Sequence, residues 1–296
     1  MTRQILVPVD GSSHSTAGLT YAFVSFPDAT FTAIYVIDTA RDSFRSAGTP
    51  QTDEERWRDQ GERILEDALE VADDAGVDLE TVLEHGTPHS TILEYIVDQE
   101  VDHVVMGSHG ESPIVRPFLG HVSEAVVRRA SVSTTIVPEP DSALRERDLP
   151  GRILVPVDGS EQSLAALEYA TTLFPDGRFT LFHTITFPFD TEPGAIEGTY
   201  LEPLVDDLTE QGEGILEDAL GVVADESVVV ETELQFGEPA RTIEKLAQQA
   251  DFDQIIMGSH GRSLPSRLIT GSVAETVSRR ATIPVTLVRG AFTEND

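Results

Sequence analysis

Two short segments in the second half of the chain carry residue types suited to binding a phosphorylated ligand. One is Pro156-Val157-Asp158-Gly159-Ser160. The other is Met257-Gly258-Ser259-His260-Gly261-Arg262, which runs on to Gly271-Ser272-Val273. Gly258 and Gly261 let a backbone approach a ligand closely with its N–H groups pointing inward. Gly271-Ser272 opens a helix whose free N–H groups attract an anion, and the Ser272 hydroxyl adds a donor for a phosphate oxygen. Arg262 and Arg267 offer two cations in an otherwise acidic chain. Asp158 is badly placed for a phosphate but suits a ribose hydroxyl or a phosphate-bound Mg²⁺. The ligand class is therefore a nucleotide. There is neither a G-x-x-x-x-G-K-[ST] nor a G-x-G-x-x-G after the first strand, which sets aside the P-loop and dinucleotide readings. The plainer alternatives are a tight turn for the glycine loop and simple helix capping for Asp158 and Asp10.

These segments sit in a duplicated framework. Ile5-Leu6-Val7-Pro8-Val9-Asp10-Gly11-Ser12 returns 148 residues later, and Met106-Gly107-Ser108-His109-Gly110 returns unchanged 151 residues later. So does Ile64-Leu65-Glu66-Asp67-Ala68-Leu69. A period this long means two whole domains rather than a solenoid unit. The expected division is a first domain over 1–140, a linker over 141–150 and a second domain over 151–296, with Glu139 to Pro150 marking the Pro-bounded, charged connection.

Within the first half, Ile5–Val9 reads as a buried strand ending at Asp-Gly. Ser12 or Ser13 caps a helix to about Val24. Phe31–Ile37 is a second strand, and an acidic amphipathic helix follows the polar stretch Asp38–Thr52 and ends at Gly76. Asp78–His85 is the third strand, and Thr87-Pro88 opens a helix to about Gln99. Val101–Met106 is the fourth strand, Val122–Ala130 a helix and Val132–Val137 the last strand. The second half repeats this order. Strands alternating with helices predict an α/β fold: in each domain a five-stranded parallel sheet, order 3-2-1-4-5, with helices on both faces. In that order the loops after the first and fourth strands border one crevice.

Composition bounds the partners. The 296 residues include no cysteine, which excludes disulfides, thiolate metal sites and a Cys nucleophile. No apolar run is long enough for a membrane helix, and the N-terminus lacks the pattern of a signal peptide. A soluble, cytoplasmic protein is expected. Asp plus Glu is 52 against 20 Lys plus Arg, a net charge of −32, and Lys245 is the sole lysine. Such a charge argues against nucleic-acid and membrane partners. Dispersed acids with almost no lysine are similar to adaptation to molar salt, so a halophilic source is expected.

The pattern G-x2-G-x9-G-[ST] behind a P-x-D strand end resembles the universal stress protein family in tandem form. The resemblance covers nearly the whole chain. It implies ATP in the crevice, with adenine near Pro156, Asp158, Thr184 and Met257, and phosphates on Gly258, Gly261, Gly271, Ser272 and Val273, with Arg262 beside them. The matching positions of the first half are Pro8, Asp10, Val36, Met106, Gly107, Gly110, Gly120, His121 and Val122. There His121 replaces Ser272 and Glu111 replaces Arg262, and with Pro117 these predict a weakened or altered site. The resemblance also implies pairing of last strands, here Thr134–Val137 with Val285–Val288 as an intrachain pseudo-dimer, and it leaves room for a homo-oligomer. No catalytic apparatus is implied beyond slow or absent hydrolysis.

Other residues have plainer readings. His109 and His260 shape the loop. His85 and His89 do not share a helix face, so no metal site is expected. Arg128-Arg129 and Arg279-Arg280 lie at helix C-termini, where they favour the dipole. Trp57 reads as a partly buried anchor or an interface residue rather than a base-stacking platform. Asp38–Thr52 and Thr186–Pro203 read as surface loops near the crevice mouth. The leading function is a stress-response protein switched by an adenine nucleotide. The competing ones are an interaction module without nucleotide and a slow ATPase.

Overall fold

A computed structural model of the chain describes residues 2–38, 50–109, 119–138, 149, 151–187, 202–223, 228–260 and 270–290, with backbone alone for 50–53. The chain divides into two compact units, residues 1–146 and 147–296.

In the first unit the strands are β1 (Gln4–Pro8), β2 (Thr30–Ile37), β3 (Leu79–His85), β4 (His103–Gly107) and β5 (Ser133–Val137). The helices are α1 (Ser13–Ser25), α2 (Pro50–Ala75), α3 (Pro88–Asp98) and α4 (His121–Arg129). All strand pairs are parallel, and the order is β3-β2-β1-β4-β5. The second unit has β6 (Arg152–Pro156), β7 (Arg178–Ile185), β8 (Val229–Phe236), β9 (Gln254–Gly258) and β10 (Val285–Val288). Its helices are α5 (Glu161–Leu173), α6 (Glu202–Leu220), α7 (Pro239–Gln249) and α8 (Ser272–Arg280). Its sheet, β10-β9-β6-β7-β8, is again parallel throughout. Both sheets have the expected 3-2-1-4-5 order, which places β1 beside β4 and β6 beside β9.

The central strands are buried on both faces, as their continuous apolar runs require. In the second unit Ile153, Val155, Phe179 and Leu181 pack against Leu167 and Ala170 of α5 and Leu216 and Ala219 of α6. Side chains alternate along a strand, so Phe182 and Thr184 point to the opposite face, where α7 and α8 pack together. Gly61 and Gly212 sit inside the long amphipathic helices because the sheet lies so close. A Cβ on Gly61 would stand 2.6 Å from a Leu83 methyl, and one on Gly212 2.8 Å from a Leu234 methyl.

Of the two caps the sequence allowed for α1, Ser12 is the N-cap: its Oγ accepts from the Ser15 N–H at 3.3 Å. Other boundaries differ from the sequence reading. Helix α2 starts at Pro50, inside the stretch read as a loop; a proline costs nothing in a first turn. Strand β4 starts at His103 rather than Val101. Glu100 takes φ 50° after α3, and the Val101 N–H returns to the Ile96 carbonyl at 3.1 Å. That is a Schellman closure, and it uses the residue that alternation alone assigns to the strand. The polar stretches 39–49 and 188–201 lie outside the described residues. No described helix is long and apolar enough to cross a membrane.

Candidate functional site

The turn after β6 is built by three side chains. Gly159 takes φ 74°, a left-handed conformation that suits glycine. Asp158 Oδ1 accepts from the Ser160 N–H at 3.0 Å and from its hydroxyl at 2.5 Å. Ser160 Oγ in turn accepts from the Ser163 N–H at 3.2 Å, making Ser160 the N-cap of α5. Asp158 thus buttresses the cap rather than forming it. Asp10, Ser12 and Ser15 repeat the same turn in the first unit.

Across the sheet, Gly258 ends β9 with its Cα against the first turn of α5. A Cβ there would lie 2.9 Å from the Gln162 carbonyl group, so only glycine fits. The chain then leaves and returns at Gly271, whose N–H donates to the Ser259 carbonyl at 2.7 Å. Gly271 is the N-cap of α8 and brings no side chain to that end, which leaves the first N–H groups of the helix facing outward.

These parts enclose a cleft of about 410 Å³ within the second unit, a size typical of small-molecule sites. Pro156, Asp158, Thr184, Met257 and Gly258 line it. Gly271, Ser272 and Val273 at the start of α8 line it as well. The structure therefore brings these eight residues to one cavity. Gly261 and Arg262, like Arg267, lie outside the described residues.

Sequence reasoning passed over other walls of the cleft: Phe182, His183, Pro239, Ile243 and Ala274, with Ser163 at the mouth of α5. Pro239 had a visible signal, the repeated Gly-x-Pro before a helix, and Ile243 lies one turn further along α7. His183 had none, since a histidine one residue from a strand end reads as an ordinary strand residue. Its Nδ1 lies 2.7 Å from the Val157 carbonyl. A carbonyl only accepts, so Nδ1 carries the proton and Nε2 is an acceptor in the neutral ring. Thr184 Oγ1 is buried without a hydrogen-bond partner among the described residues. An unsatisfied hydroxyl of this kind is costly.

His260 also lines the cleft, almost fully buried. Its Nε2 lies 3.4 Å from Arg289 and its Nδ1 2.8 Å from Ser259 Oγ. The guanidinium only donates, so Nε2 accepts and Nδ1–H donates to Ser259. Burial, helped by the Arg289 charge, holds the His260 pKa below its ordinary value, and burial lowers that of Arg289 as well. The ring is thus a neutral spacer at the loop's start.

The first unit diverges at the same places. Gly120 is again an N-cap without a side-chain bond, and its N–H again returns to the Ser108 carbonyl, at 2.8 Å. Its first helical residue, His121, packs edge-on against His89, ring centroids 5.7 Å apart. His109 lies 5.4 Å from His14, where the second unit has His260 near Arg289. Ser123 Oγ donates to the Gly107 carbonyl at 2.8 Å, whereas Ala274 occupies the matching position. Val36 and Met106 are buried, while Pro8, Asp10 and Val122 are half-buried. Gly110, Glu111 and Pro117 lie outside the described residues. Among those described, no group of three or more His, Asp or Glu could hold a metal ion.

A pair of five-stranded parallel α/β units, the second with a glycine-pinned cleft at the ends of its first and fourth strands, defines the class of fold. Residues 1–138 and 150–289 each match the universal stress protein family, and the chain belongs to it. It is 26% identical over 294 residues to a universal stress protein of Mycolicibacterium smegmatis, covering 96% of each chain. It is 27% identical over 300 residues to one of Mycobacterium tuberculosis, again covering 96% of each. Among solved structures, a universal stress protein of Archaeoglobus fulgidus is similar with a TM-score of 0.71 at 22% identity, covering 98% of this chain and 97% of that one.

Proposed function

We propose that this chain binds an adenine nucleotide, ATP with or without Mg²⁺, in the cleft of its second unit, and acts in stress response as a ligand-dependent switch. The observation that carries the reading is the meeting, in one cavity, of an apolar slot and the uncapped N-terminus of α8. The slot suits a base and the helix end suits phosphate. The Thr184 hydroxyl, buried without a partner among the described residues, lies in the wall of the same cleft. Asp158, whose Oδ1 serves the α5 cap, is the cleft carboxylate we assign to the ribose.

The test is to purify the protein in molar KCl, denature it, and identify and count the nucleotide released. About one ATP per chain is expected if the second unit supplies the single strong site. A Ser272→Val variant should lose about tenfold in affinity, the scale of one hydrogen bond to a charged oxygen. No nucleotide, even after soaking with MgATP, would sink the proposal. The contacts of His121 with His89 and of His109 with His14 favour a second reading for the first unit, as an altered site retained for its surface. Two ATP per chain would overturn that asymmetry.

A further inference from the structure

We propose that Arg289, at the end of β10, is a positioning cation for the cleft: held by His260, it sets the charge and the geometry that an anionic ligand meets there. This rests on the nucleotide reading above and names a residue behind the cleft wall on which the same site depends. Val288 of β10 stands opposite Gly258 of β9, so Arg289 leaves the sheet at the end where Gly258 lines the cleft. Its guanidinium donates to His260 Nε2 at 3.4 Å, and the His260 ring is itself part of the cleft wall. Two more hydrogen bonds lead on to the start of α8. His260 Nδ1–H donates to Ser259 Oγ at 2.8 Å, and the Gly271 N–H donates to the Ser259 carbonyl at 2.7 Å. The next residue is braced too: the Gly290 N–H donates to Gln162 Oε1 at 3.2 Å, in the first turn of α5. The guanidinium is thus fixed one ring away from the cleft.

Charge gives this position its effect. An arginine stays protonated, and burial makes its charge costly; burial accordingly lowers the Arg289 pKa. An anion in the cleft offsets that cost. The need is plain in a chain of net charge −32, whose overall field repels a polyphosphate. A half-buried cation is also screened less by salt than a surface one. The first unit has Pro138 at the matching position, and there the His14 ring stands against His109. Pro138 brings no charge, so the two units differ at this point as they do at Ser272 and His121.

The experiment measures ATP, ADP and adenosine on the full chain in molar KCl, by calorimetry for the nucleotides and by competition against ATP for adenosine. Arg289→Gln should weaken ATP about tenfold, ADP by less, and adenosine by under about twofold, because a lost charge is felt in proportion to the charge on the ligand. Arg289→Met should do the same, and an apolar chain of similar length in place of a buried charge is well tolerated by a fold. Arg289→Lys keeps the charge and a donor, so it should hold ATP within about threefold of wild type. Melting curves without ligand establish that each variant is folded. Unchanged ATP affinity in Arg289→Gln and Arg289→Met would overturn this inference alone. So would equal losses for ATP and ADP, or a loss in Arg289→Lys as large as in Arg289→Gln, since either would make Arg289 a structural brace without electrostatic effect. Binding of none of the three ligands by the wild-type chain would overturn the nucleotide reading and this inference with it.

Discussion

At the scale of single residues, the duplicated halves serve as controls for one another. His103 on β4 is fully buried, its Nε2 2.8 Å from Thr135 Oγ1 and its ring 5.0 Å from that of Phe26. Burial pushes its pKa down to about 3, with the Arg3 charge adding to the effect. The second unit places Gln254, equally buried, at this position. The folded chain keeps the imidazole neutral, whereas the unfolded chain takes up a proton below pH of about 6.5. Stability from this group is therefore complete above that pH and falls between about 6.5 and 3, by about 1.4 kcal/mol per unit. His103→Gln should flatten the first unit's loss on going from pH 7 to pH 5 by about 2 kcal/mol. Urea titrations at the two pH values measure it, and parallel losses in both proteins would contradict it. Much of the candidate site could be read from the sequence. Glycine and Gly-Ser spacing points to backbone geometry, and backbone geometry follows from residue type. His183 could not be found that way, because its place in the cleft wall comes with one contact to the carbonyl of Val157, a residue distant in sequence.

At the scale of elements, strand order and helix alternation were legible because the central strands are apolar runs closed by turn residues, the edge strands β3 and β8 mix polar and apolar residues, and the pattern occurs twice. Boundaries were less so where a local hydrogen bond overrides periodicity. The closure after α3 is such a case, with Glu100 at φ 50° and the Val101 N–H given to Ile96. Asp251 repeats the strained φ after α7. A left-handed conformation costs an L-residue about 1–2 kcal/mol, of which glycine's larger unfolded entropy takes back part. Glu100→Gly should therefore stabilise the protein by about 0.5–1 kcal/mol. The gain should appear as a higher urea midpoint with an unchanged slope; a lower midpoint would mean that the Glu100 side chain contributes more than its backbone costs. The opposite sign holds for Gly61→Ala. Its helix-propensity gain of about 1 kcal/mol is outweighed by overpacking of about 1–3 kcal/mol against Leu83 and Tyr35, and a thermal melt should show a net loss.

At the scale of the whole molecule, the net charge of −32 dominates. At 0.1 M salt the Debye length is about 10 Å and neighbouring carboxylates repel; at 1 M it is about 3 Å and they do not. The melting temperature should climb steadily from millimolar to molar KCl, and a flat profile would remove salt adaptation from the account. This expectation comes from composition alone and needs no fold. Duplication within one chain has a further effect. Two identical subunits must carry identical crevices, so any mutation changes both. Here Ser272 and His121 occupy matching helix starts yet were free to change separately. Translation still delivers the two crevices in a fixed one-to-one ratio. Joining the two units in one chain therefore lets matching positions differ without creating a pool of mismatched partners that has to be sorted.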